Sequence, residues 1–98
     1  MSILADMLRE EQERAMAMKD AVRKELQVLS KGYLSRKVIR GRPVFYLQYR
    51  VGKQIVSHYI SKEKLEKVRK DVSRRKELQA MEKEIDENLK RIQKALKV

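Results

Sequence analysis

Residues 32–60 read GYLSRKVIRGRPVFYLQYRVGKQIVSHYI, and the fold turns on how this stretch is read. It contains no Asp or Glu but six Lys or Arg, and it holds all five aromatic residues of the chain: Tyr33, Phe45, Tyr46, Tyr49 and Tyr59. β-Branched and aromatic residues cluster in three runs separated by glycines, the pattern of short strands joined by tight turns. The runs are Tyr33 to Arg40, Val44 to Arg50 and Gln54 to Ile60. Gly41-Arg42 and Val51-Gly52-Lys53 are the expected turns, with Pro43 at a strand start because it has no N–H for a ladder bond.

Side chains alternate across a strand, so period 2 sorts the faces. Leu34, Val38, Phe45, Leu47, Val56 and Ile60 point one way. Tyr33, Lys37, Tyr46, Gln48, Ile55 and Tyr59 point the other. Arg36 and Arg40 fall on the apolar side and leave the first strand open to a one-residue slip, which would exchange its faces. A three-stranded antiparallel meander is about the smallest sheet that stands with the support of a helix.

The flanking sequence is helical. From Ser2 to residue 30, positions 4, 8, 11, 15, 18, 22, 25 and 29 step by four and three, a heptad seam carrying Leu4, Leu8, Ala15, Met18, Val22 and Leu29. Ser2 is the expected N-cap, and Gly32 the expected C′ residue in the left-handed conformation. From Ser61 to residue 97 a second seam runs through Leu65, Val68, Val72, Leu78, Met81, Ile85, Leu89, Ile92 and Leu96. Its phase shifts around Arg74, Arg75 and Lys76, as a stutter would shift it. Glu82, Glu84, Asp86 and Glu87 alternate with Lys83, Lys90 and Lys94 and predict i,i+4 pairs along a solvated face. The expected architecture is α+β: one domain over 1–98, with a helix at 2–30, a β-meander at 32–60 and a helix at 61–97. The helices form a long antiparallel, coiled-coil-like hairpin with the sheet at its closed end. Two helices bury one seam and are marginal alone. Leu4, Leu8, Met18, Val22, Leu29, Leu65, Val72, Ile85, Leu89 and Ile92 therefore also predict a homodimer or a partner helix.

Composition narrows the function. The chain has 98 residues and no cysteine, which excludes disulfides, thiolate metal sites and a Cys nucleophile. There is no long apolar run and no secretory leader, so a cytoplasmic location without a membrane partner is expected. The formal charge is +11 and is unevenly spread. Residues 1–30 carry five basic and six acidic groups, residues 31–60 carry seven and none, and residues 61–98 carry thirteen and eight. His58 stands alone, the carboxylates lie in mixed-charge helical faces, and no phosphate-binding loop is present, so no catalytic site, metal site or cofactor is expected.

The basic middle therefore reads as a surface for a polyanion, DNA or RNA. Tyrosine's β-propensity and the use of Lys and Arg to protect sheet edges explain aromatics and scattered cations. They do not explain a stretch from Glu25 to Glu63 without one acid. Lys31, Arg36, Lys37, Arg40, Arg42, Arg50 and Lys53 are the expected phosphate contacts, and Tyr46, Gln48 and Tyr59 the expected base contacts. Residues 62–76, with eight basic groups against three acidic, add Lys62, Arg69, Lys70, Arg74 and Arg75.

Residues 32–60 also resemble a small uncharacterised family of prokaryotic, phage and mobile-element proteins. The shared pattern is Gly-Tyr-Leu at Gly32, Tyr33 and Leu34, then an aromatic-Tyr-Leu-Gln-Tyr-Arg run from Phe45 to Arg50. It closes with Gly52-Lys53 and with Ser57, Tyr59 and Ile60. The sequence departs from it at Val51-Gly52, where the family turn is a residue fuller. The middle strands are loosely similar to the three-stranded arm-type DNA-binding sheet of some phage integrases. That similarity implies DNA contact by a sheet in a prokaryotic or phage-infected cell, and no recombinase chemistry. An origin of this kind carries a second expectation: an anti-CRISPR or other anti-defence protein that binds a nucleic-acid-handling enzyme through its basic sheet and helical seam.

Overall fold

A computed structural model describes residues 2–97. Helix α1 (Ile3–Val28) is followed by β1 (Tyr33–Ile39), β2 (Arg42–Val51), β3 (Gln54–Ile60) and helix α2 (Lys62–Leu96). The three strands form one antiparallel sheet in the order β1-β2-β3. The fold is α+β, as the sequence implies. Among the described residues, no helix is long and apolar enough to cross a membrane, and no group of three or more His, Cys, Asp or Glu could hold a metal ion. The chain divides into two units, residues 29–76 forming one and the segments on either side of them the other.

The flanking unit pairs α1 with the part of α2 from Glu77 onward. Ser2 caps α1: its Oγ accepts from the Ala5 N–H at 3.4 Å and its carbonyl from the Asp6 N–H at 3.2 Å. Ala15 and Val22 are buried, as are Leu78, Ile85 and Ile92 of α2. Leu8, Ala15 and Val22, seven apart along α1, and Leu29 just after its end are half-buried or buried, as the heptad predicts. The other seam row lies one residue later than the sequence suggests. Leu4 and Met18 are 65% and 52% exposed, while Ala5, Gln12, Lys19 and Leu26 turn inward. On α2, Met81 is likewise displaced by Glu82.

Ion pairs accompany this shift. Lys19 Nζ donates to Asp86 Oδ1 at 2.6 Å, and Arg23 lies 3.5 Å from Glu82, so the row beside the apolar seam is closed by ion pairs between the helices. Glu82 and Asp86, expected in pairs along their own helix, reach across it. The two cross-helix pairs give α1 and α2 opposite chain directions, since 19 meets 86 and 23 meets 82. Val72 of α2 is buried in the sheet unit and Leu78, Ile85 and Ile92 in the flanking unit, so the helix passes from one unit into the other between Val72 and Leu78.

In the sheet unit, Leu47, Val68 and Val72 form a buried cluster, with Leu34 and Ile60 packed against it. One sheet face thus lies on the first half of α2. Both hairpins have two-residue turns: the first lies one residue earlier than the expected Gly41-Arg42, and the second is one residue shorter than the expected Val51-Gly52-Lys53. Ile39 pairs with Arg42 across Arg40-Gly41, and Val51 with Gln54 across Gly52-Lys53. Arg40 and Gly41 have φ of 53° and 78°, the two left-handed residues of a type I′ turn, and Gly52 has φ of 61°. Arg42 therefore belongs to β2. Pro43 lies one pair beyond the narrow Ile39–Arg42 pair, so its ring nitrogen faces away from β1, and β3 has ended before it reaches that level.

Gly32 is not the C′ residue of α1, which ends four positions earlier. It is instead required where the chain enters β1. Its φ is 106°, and a Cβ there would collide with the carbonyl of Gln48. Ser30 beside it donates from Oγ to Asp71 Oδ2 at 3.2 Å, tying this entry to α2.

Urea denaturation should rank the two glycines. Gly32→Ala combines strain and collision and should cost about 2–4 kcal/mol, whereas Gly41→Ala, strained but in open space, should cost about 1 kcal/mol. The seam makes a parallel statement. Leu78→Ala, at the most buried side chain, should cost about 2–4 kcal/mol, while Leu4→Ala and Met18→Ala should stay within about 0.5 kcal/mol.

Candidate nucleic-acid interface

The strand register sorts every side chain of the sheet. Leu34 pairs with Leu47 and Leu47 with His58; Phe45 pairs with Arg36 and Ile60. Directly paired residues share a face. The face carrying Leu47 is thus Leu34, Arg36 and Val38 on β1, Pro43, Phe45, Leu47, Tyr49 and Val51 on β2, and Gln54, Val56, His58 and Ile60 on β3. This inner face meets Val68 and Val72. The opposite, open face carries Tyr33, Ser35, Lys37 and Ile39; Arg42, Val44, Tyr46, Gln48 and Arg50; and Ile55, Ser57 and Tyr59. Both sets contain the residues that period 2 assigns to them, and the slip left open for β1 is settled by Leu34 facing Leu47.

The open face has an ordered layout. Its centre is two cross-strand rows, Tyr33–Gln48–Ser57 and Ser35–Tyr46–Tyr59. Cations stand at both ends of β2, Arg42 beyond one row and Arg50 beyond the other, about 27 Å apart at the rise of an extended strand. Lys37 lies between, with Nζ 5.2 Å from the centre of the Tyr46 ring. Tyr46 also meets Tyr59 edge-on, centroids 6.1 Å apart at 71°. Tyr46 is thereby held by its neighbours, while Tyr33 and Tyr59 are 52% and 64% exposed and offer free ring surface. Gln48 Nε2 donates to Ser57 Oγ at 3.1 Å, which orients the amide and turns its carbonyl oxygen away from that bond. No acidic residue lies on this face.

The remaining expected site residues divide. Lys37, Arg42, Tyr46, Gln48, Arg50 and Tyr59 share the open face. Arg40 and Lys53 stand in the two turns, and Lys31 precedes β1. Arg36 falls on the inner face beside Phe45. Arg69 of α2 lies on that side too, with its guanidinium carbon 5.1 Å from the centre of the Phe45 ring. This contact holds the helix to the sheet and is worth up to about 1 kcal/mol at so exposed a site. Lys70, Arg74 and Arg75 are on the same helix, behind the sheet as seen from its open face. Lys62, in the first turn of α2, lines a hollow at the end of the sheet with residues of both faces: Val44 and Tyr59 of the open face, Pro43, Phe45 and Ile60 of the inner face, and Leu65 of the helix.

Of the open-face residues outside the expected site, Tyr33 and Ser57 bear on its chemistry. Tyr33 was assigned to this face by alternation, but its ring is one of the two most available. Ser57 fixes Gln48, and only the β2–β3 register shows that it does. On the inner face, Tyr49 and His58 form their own pair, stacked with centroids 5.5 Å apart and joined by a 2.7 Å hydrogen bond between the Tyr49 hydroxyl and His58 Nε2. His58, the single histidine, is thus engaged with a neighbouring side chain.

The chain belongs to a family described as a domain of unknown function, DUF6788, which matches residues 4–70. The match spans nearly all of α1, the whole sheet and the first turns of α2, including Val68. The family description assigns no activity and lends no weight to a phage origin or to a likeness to integrases. No curated protein and no solved structure matches the chain.

Proposed function

We propose that this protein binds nucleic acid without catalysis, through the open face of its sheet. One observation carries this reading: the register brings three tyrosines, three cations and an oriented glutamine onto one acid-free face that α2 leaves uncovered. Phosphates of a bound strand would meet Lys37, Arg42 and Arg50, with Lys62, Arg40 and Lys53 at the rim. Tyr33 and Tyr59 would stack on bases, and Gln48 would present its carbonyl oxygen to a base edge. Exposed rings flanked by cations suit unpaired bases better than a closed duplex, whose bases expose only their edges. The α2 cations Lys70, Arg74 and Arg75 would contribute to the long-range field rather than to contact.

Fluorescence anisotropy with random single-stranded DNA, RNA and duplex DNA tests the reading. Single strands should bind at least as tightly as duplex. Tyr33→Ala with Tyr59→Ala should weaken single-strand binding by about 1–3 kcal/mol per stacked base. Arg42→Ala with Arg50→Ala should lower the slope of log K against log salt by about 1.4, at roughly 0.7 per phosphate on a single strand. An unchanged slope would remove the phosphate role from these arginines. If none of the three nucleic acids binds, the reading fails, and a protein partner such as a nucleic-acid-handling enzyme takes its place.

A further inference from the structure

The two edges of the sheet differ in charge, and only one is guarded. β1 presents Arg36 and Lys37 near its middle. β3, QIVSHYI, contains no Lys, Arg, Asp or Glu, and Ile55 and Tyr59 on it are 60% and 64% exposed. An uncharged, seven-residue edge with free backbone groups is a template for another strand.

Hydrogen-bond parity identifies those free groups. Beyond the narrow Val51–Gln54 pair, wide and narrow pairs alternate along β2 and β3. The wide pairs are Arg50–Ile55, Gln48–Ser57 and Tyr46–Tyr59. The N–H and C=O groups of Ile55, Ser57 and Tyr59 therefore point away from β2, toward the open edge. We infer that this edge binds the same edge of a second copy of the chain, antiparallel about a two-fold axis through Ser57.

That register satisfies the strand completely. Ser57 meets the partner's Ser57, and Ile55 meets the partner's Tyr59. All three are narrow pairs formed from the outward groups, each exchanging two hydrogen bonds. The side chains agree: β-branched Ile55 opposite aromatic Tyr59 is a favourable cross-strand pair, and it occurs twice. On the inner face Val56 lies opposite the partner's His58. The corresponding arrangement at β1 would centre on Arg36, because the outward groups there belong to Leu34, Arg36 and Val38. Two arginines would then stand directly opposite each other, which is unfavourable. The guarded β1 edge also prevents head-to-tail growth, so pairing at β3 closes as a dimer. The product is one six-stranded sheet in which the two open faces are continuous, with the β2 strands about 14 Å apart at ordinary strand spacing. The pairing requires nothing of the nucleic-acid binding proposed above.

Sedimentation equilibrium without nucleic acid is the test, run from micromolar to near-millimolar concentration in about 0.5 M salt to screen the like charge of two copies. The mass should rise from 11.7 kDa toward twice that value. Ser57→Pro deletes an outward N–H that β2 does not use, and should hold the mass at one chain with unchanged helix content by circular dichroism. Should that variant lose structure, Ile55→Lys, at an exposed position, tests the same edge. Ser57→Cys, in a chain with no other cysteine, should link to a dimer under mild oxidation, while Ser35→Cys, on the same face of β1, should not. A wild-type mass fixed at one chain overturns the inference. So does dimerisation of Ser57→Pro or Ile55→Lys like wild type, or linking of Ser35→Cys as readily as Ser57→Cys.

Discussion

Leu47 packed on Val68 and Val72 is the contact on which the sheet unit depends. It is the one buried residue of the three strands, and it commits one face of the sheet to the helix. Alternation does the rest. Once Leu47 faces inward, Tyr46 and Gln48 must face outward, and the ladder carries that parity to Tyr33 and Lys37 on β1 and to Ser57 and Tyr59 on β3. A single apolar contact thus determines which tyrosines and cations are available to a partner. The same parity sets which backbone groups of β3 face its edge.

The inner face also shows why aromatic and basic residues on this sheet cannot be treated as one population. Phe45 and Tyr49 belong to the packed side, where Arg69 covers Phe45 and His58 stacks on Tyr49. Arg36 joins them. The cations that remain on the open face are few, and their positions at the ends of β2 give that face a direction along the strand. The helix pair has the complementary character. Its apolar layer is narrow, from Ala15 and Val22 to Leu78, Ile85 and Ile92, and ion pairs border it.

Much of this was legible in the sequence, and the failures have physical causes. Period 2 placed six residues on each face correctly because β2 alternates strongly between apolar and polar. The first strand alone was ambiguous, since Arg36 interrupts its apolar side, and only pairing with Leu47 resolves it. The row from Leu8 to Leu29 was readable. The second row was misplaced, because Met18 outranks Lys19 in hydrophobicity, and nothing local reveals that Asp86 waits 67 positions away. The first turn was shifted by one residue because it needs a left-handed arginine at position 40, and arginine carries no such signal. Gly32 was noticed for the right property, a positive φ, and given the wrong reason: the approach of the Gln48 carbonyl is a tertiary fact.

The central claim is that the open face, and not the helix-backed face, meets nucleic acid. Ultraviolet cross-linking of a bound single-stranded oligonucleotide, followed by peptide mapping, tests it directly, because the four tyrosines divide between the faces. Adducts on Tyr33 and Tyr59, with none on Tyr49, are the expected result. Adducts concentrated on Tyr49 or on the α2 residues behind the sheet would contradict it.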